Sequence, residues 1–119
     1  MTVVTCFIRY TIDPNRWAEF EQYGRVWMRL IEKYGGTHLG YFLPGDEPPS
    51  AAFSFPGIGE TGADNIAIAL FSFPSVDSYE SYRRDVPNDA ECVAVTKHYE
   101  KTKPFTKYER TFMRRVERD

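Results

Sequence analysis

Cysteine and histidine are scarce in this sequence, with two of each in 119 residues. Cys6 and Cys92 lie far apart, and neither has a second cysteine or a histidine at zinc-type spacing, which excludes a zinc knuckle or a disulfide framework. Two buried, reduced thiols are expected, with no metal site and no cofactor. Charge of one sign is missing too. Fifteen Lys and Arg stand against 17 Asp and Glu, a net charge of -2, so there is no broad field to recruit nucleic acid or an anionic membrane. Basic residues accumulate late, from Lys97 to Arg118, but Glu100, Glu109, Glu117 and Asp119 interleave, and the stretch reads as a solvated face. No apolar run approaches the ~20 residues of a membrane-spanning helix. Arg9 and Asp13 interrupt the first apolar stretch and no small-residue cleavage site follows, so no signal peptide is expected. The expectation is a cytoplasmic protein with neither a nucleic-acid nor a membrane partner.

Nucleophile elbow, phosphate-binding glycine loop and dinucleotide fingerprint are also absent. The GIGETG tract from Gly57 to Gly62 has the wrong spacing and no strand feeding directly into a helix. The RNA-recognition motif needs stacking aromatics in its third strand, where this chain places Ile68 and Leu70.

What is present is a single domain over residues 1–119, with 42% hydrophobic and 27% charged residues and no biased segment. A domain of this size buries roughly two-thirds of its unfolded surface, enough for one core. Val3 to Ile12 alternates as a strand, with Val4, Cys6, Ile8, Tyr10 and Ile12 on one face. Asp13 and Pro14 predict a helix start. Trp17, Phe20, Tyr23, Trp27, Leu30, Ile31 and Tyr34 then recur at helical spacing up to the break at Gly35 and Gly36. Thr37 to Pro44 reads as a second strand, 45–63 as a long Pro- and Gly-rich connection, and Asn65 to Phe73 as a third strand that is apolar on both faces. Ser75 caps a short helix to about Arg84, Pro87 breaks it, a second helical segment starts near Asn88 or Asp89 and stops before Pro104, and Phe105 to Val116 forms the last strand.

The order β-α-β-β-α-β predicts an α+β, ferredoxin-like sandwich: a four-stranded antiparallel sheet with its helices on one face. The second apolar face of the third strand needs cover, and a second copy of the sheet supplies it. The expected assembly is therefore a homodimer, a dimeric α/β barrel, with a small hydrophobic ligand held between the two sheets. The 45–63 connection reads as a lid over that cavity or as an arm around the partner.

Three stretches carry a family likeness. CFIRYTIDPNRWAEF at the start, HLGYF after the glycine turn, and ALFSFPSVDSYESYRR resemble the NIPSNAP family within the dimeric α/β-barrel superfamily. That resemblance extends over most of the chain. It implies the dimeric ferredoxin-like barrel, while the family supplies no agreed active site and the superfamily spans cofactor-independent monooxygenases, small isomerases and haem proteins. The connection between Tyr41 and Asn65 is longer than the family pattern implies.

Four residues stand out as site candidates. His38 is the candidate catalytic residue, since a neutral imidazole serves as base or proton shuttle, although a lone histidine is more often a hydrogen-bonded structural residue. His98 reads as a surface residue. Arg9 is a charge in an apolar strand, accounted for by an anionic ligand, by the dimer partner, or by a cross-strand ion pair with Glu109. Tyr10 and Tyr41 offer hydroxyls to a ligand, with aromatic packing as the alternative. Trp17, Phe20, Tyr23 and Trp27 are explained as core by their helical spacing. Three functions compete. The first is an enzyme of monooxygenase or isomerase type, using His38 for proton transfer, Arg9 for anion stabilisation and Tyr41 for orientation. The second is a non-catalytic binding module. The third is haem binding, for which His38 or His98 would be the axial ligand.

Overall fold

The computed structural model describes residues 3–119. Along the chain run β1 (Val4–Ile12), α1 (Trp17–Lys33), β2 (Thr37–Phe42), β3 (Ile66–Phe73), α2 (Val76–Asp85), a 3-10 turn (Val86–Asn88), α3 (Ala90–Thr102) and β4 (Phe105–Met113). All strand pairs are antiparallel and the sheet order is β2-β3-β1-β4, the ferredoxin-like arrangement that the element order predicts.

Strand alternation decides which side chains meet the helices. Cys6, Tyr10 and Ile12 of β1, with Ala67, Ala69, Phe71 and Phe73 of β3, are buried beneath the helices. Phe20, Val26, Leu30 and Ile31 are the buried stripe of α1 that covers them. Ala67 and Ala69 are small, and at that end of the core aromatic rings fill the space: Phe20 meets Tyr10 edge-on at 5.0 Å, and Phe105 meets Tyr10 at 4.8 Å. The opposite face of β3, bearing Ile66, Ile68 and Leu70, is only half covered by its own chain.

Helix α1 begins later than the sequence predicts. Asp13 accepts a hydrogen bond from the Asn15 backbone N–H at 3.0 Å, two residues on, and its carbonyl accepts from Arg16 N–H at 2.9 Å. The carboxylate is thus spent on a local turn instead of capping the first helical turn, and the helix starts at Trp17 with no side-chain cap. Ser75 caps α2 as expected, its Oγ accepting from Ser78 N–H at 3.1 Å. Asp89 caps α3 by accepting from Glu91 N–H at 2.8 Å, and the same carboxylate accepts from Lys33 Nζ at 2.6 Å and Tyr34 Oη at 2.7 Å. One buried aspartate therefore fastens the end of α1 to the start of α3. The Lys33 ammonium and the Tyr34 hydroxyl hold its carboxyl well below the usual range. Both Cys6 and Cys92 are buried free thiols.

Candidate functional site

A bulge in β2 builds the site. Pairing with β3 runs His38 to Phe71, then Gly40 to Leu70 and Tyr41 to Ala69, so one extra residue is inserted between His38 and Gly40. In a regular strand residues 38 and 41 would face opposite ways. The inserted residue brings both to the helix side, where the imidazole stacks on the Tyr41 ring at 5.1 Å and 12°. Gly40 has φ of 132°, a conformation that side chains with a Cβ rarely adopt, and its N–H donates to His38 Nδ1 at 2.9 Å. That donation makes Nδ1 the acceptor and leaves the proton of the neutral ring on Nε2, which is buried without a partner among the described residues. Burial lowers the imidazole pKa to about 4.

Beside this pair, between sheet and helices, lies a cavity of about 160 Å³. Ile8, Tyr10, Tyr41 and Phe71 of the sheet form its floor, and Tyr23, Trp27 and Ile31 of α1 form its roof. Helix and strand approach closely here because α1 carries Gly24, where a Cβ would stand 3.1 Å from the Tyr41 ring. The remaining wall comes from Tyr82 and Arg83 of α2 and from Tyr108 and Arg110 of β4. No acidic side chain borders the space.

Apart from Arg83 and Arg110, the polar groups around it are neutral hydroxyl and indole donors. Tyr10 Oη and Tyr41 Oη lie 3.4 Å apart in a mutual hydrogen bond. Burial pushes the hydroxyl pKa values of Tyr10, Tyr23, Tyr41 and Tyr82 upward, so all four stay protonated across the physiological range. Trp27 Nε1 is buried and has no acceptor among the described residues. An indole N–H without an acceptor carries a penalty of about 1–3 kcal/mol, which a ligand oxygen would relieve. The Cys6 thiol, raised to about 11 by burial, is protonated and inert.

The structure separates the four candidates. Tyr10 and Tyr41 line the cavity, and His38 stands beside it, stacked on Tyr41 and tilted against Phe71 at 5.5 Å. Arg9 is on the far face of the sheet, opposite Glu109 in register, and donates to Glu109 Oε1 at 3.2 Å. That cross-strand pair accounts for the charge. Both side chains are about half exposed, so the pair contributes only ~0–1 kcal/mol. This cavity is within one chain, on the helix-covered side of the sheet. No residue of the 45–63 connection borders it. Tyr23 and Trp27 were expected to be core only, because helical spacing cannot distinguish a side chain that fills the interior from one that lines a hole in it. Tyr82, Arg83, Tyr108 and Arg110 were not singled out as site residues by the sequence. Among the described residues no group of three or more His, Cys, Asp or Glu could hold a metal ion. The cavity is far too small for a haem macrocycle.

The chain is similar in fold to several solved structures. An Agrobacterium tumefaciens NIPSNAP family protein is 14% identical, with TM-score 0.70, over 97% of this chain and 94% of that one. An uncharacterized NIPSNAP-like domain protein from Burkholderia xenovorans gives TM-score 0.67 at 14% identity, covering 96% and 85% respectively. A putative antibiotic biosynthesis monooxygenase from Nitrosomonas europaea gives 0.62 at 7% identity, covering 98% and 100%. No curated protein matches the chain. A family profile described as NIPSNAP matches residues 5–117, nearly the whole length, and the chain belongs to the NIPSNAP family.

Proposed function

We propose that the protein is a homodimer in which each chain binds one small aromatic molecule in the cavity between sheet and helices. The observation that carries this reading is a space of about 160 Å³ lined mainly by aromatic rings, among them Trp27, whose buried N–H has no acceptor among the described residues. A dry protein cavity of about 150 Å³ takes up benzene, so the volume suits one ring. The tyrosine hydroxyls and the indole N–H offer hydrogen bonds to an oxygen on that ring.

Binding without turnover is the better supported role. General acid–base chemistry needs a group that exchanges protons near the working pH, and His38, with its pKa lowered to about 4, does not. The donor set favours a second reading, in which Trp27, Tyr10 and Tyr41 stabilise an oxyanion in a cofactor-independent reaction of monooxygenase or isomerase type.

Dimerisation rests on the uncovered sheet face. Phe42 is 54% and Met113 51% exposed there, beside half-buried Ile68, Leu70 and Phe7. The radius of gyration is 16.4 Å. A compact chain of this length would have about 13.5 Å. Phe55 and Ile58, 70% and 82% exposed on the long connection, suit an arm laid on the partner. Two buried free thiols fit a reducing cytoplasm. Native mass spectrometry in the presence of phenol tests the proposal: a dimer carrying two ligands is expected. A monomer would remove the assembly, and a dimer without added mass would remove the binding site.

A further inference from the structure

Arg83 and Arg110 are two cations on the wall of a cavity that has no anion. They come from different elements, α2 and β4, and both also line an outer groove with Val4, Tyr79 and Phe112, so they stand where the inner cavity meets the surface. Among the described residues no carboxylate lies within 4.0 Å of either guanidinium. Arg110 lies over the Phe112 ring at 5.5 Å, which leaves its N–H groups free for a ligand. Glu80 shares the outer groove and still does not bridge them. In a protein of net charge -2, two guanidiniums without carboxylate partners that line the same opening select for negative charge at that point.

We infer that the ligand is a monocyclic aromatic carboxylate, its ring inside the cavity and its carboxylate held at the mouth by Arg83 and Arg110. This rests on the ligand-binding reading above and adds the charge of the ligand and its orientation. Volume sets the ring size, the two guanidiniums set the acid, and the inner phenol and indole donors accommodate an oxygen on the far side of the ring.

Benzoate and benzamide separate the inference from the reading beneath it, because they share ring and shape and differ in charge. Kd values come from NMR titration of the full chain. Benzoate is expected to bind about tenfold tighter than benzamide at low salt, with the preference shrinking as ionic strength rises. In an Arg83→Gln/Arg110→Gln protein the preference is expected to vanish while benzamide binding persists. Arg83→Lys/Arg110→Lys, which keeps the charge, is expected to retain part of it. Equal affinity of the natural protein for the two probes overturns the anion assignment alone, as does a preference that survives the double glutamine variant. Failure of both probes to bind the natural protein overturns the ligand-binding reading and this inference with it. Both arginines are exposed, so the variants fold, and an unchanged melting temperature verifies that.

Discussion

His38 shows how one residue's surroundings set its chemistry. Its Nδ1 is occupied by the Gly40 N–H and its ring is packed between Tyr41 and Phe71, so the charged form is excluded and the pKa lowered to about 4. The unfolded chain would protonate this histidine near the ordinary value of 6.5. Between those values the unfolded state binds more protons, and stability therefore falls as the pH drops from about 6.5 to 4. Asp89, with a lowered carboxyl pKa, adds its loss only below the ordinary carboxylate value of 3.8. Melting temperatures are expected to decline from pH 7 to pH 5 in the natural protein and to decline less in His38→Gln; parallel curves would contradict this account of the imidazole. At this scale the sequence was partly legible. The Arg9–Glu109 pair followed from strand pairing, and Tyr10 and Tyr41 were singled out for their hydroxyls, with aromatic packing as the alternative. Trp27 was not, since the orphaned state of an indole N–H depends on which atoms surround it.

Among the elements, β2 is the one whose detail decides the site. The strand itself could be read from THLGYF, but the bulge could not, because a single glycine in a strand marks a bulge, a bend or a close approach without saying which. Gly40→Ala places a Cβ at φ of 132°. Such strain costs about 1–3 kcal/mol. A lower urea midpoint with an unchanged slope is expected, together with weaker binding of phenol as Tyr41 loses its register; an unaltered midpoint would show that the bulge tolerates a side chain. The start of α1 was misplaced for a related reason. Asp13 has the composition of a cap, and only the path of the chain determines whether its carboxylate meets a helical N–H or the N–H two residues on.

The whole molecule is a slab of 48 × 44 × 19 Å, about the thickness of one sheet with one layer of helices. Element order made that architecture legible, and the two-faced apolar pattern of β3 marked the uncovered side. The location of the cavity was not legible, because it depends on how far Gly24 lets α1 approach β2 and on rings contributed by six separate elements. Among the described residues no helix is long and apolar enough to cross a membrane. The most direct test of the account is the indole region of a ¹H–¹⁵N correlation spectrum during a phenol titration. The chain has two tryptophans, Trp17 and Trp27, and Trp27 alone borders the cavity. The Trp27 Nε1–H signal is expected to shift as it gains an acceptor while that of Trp17 stays in place. A Trp27 signal that stays fixed at saturating phenol, or two signals that move equally, would contradict a ligand site between the sheet and the helices.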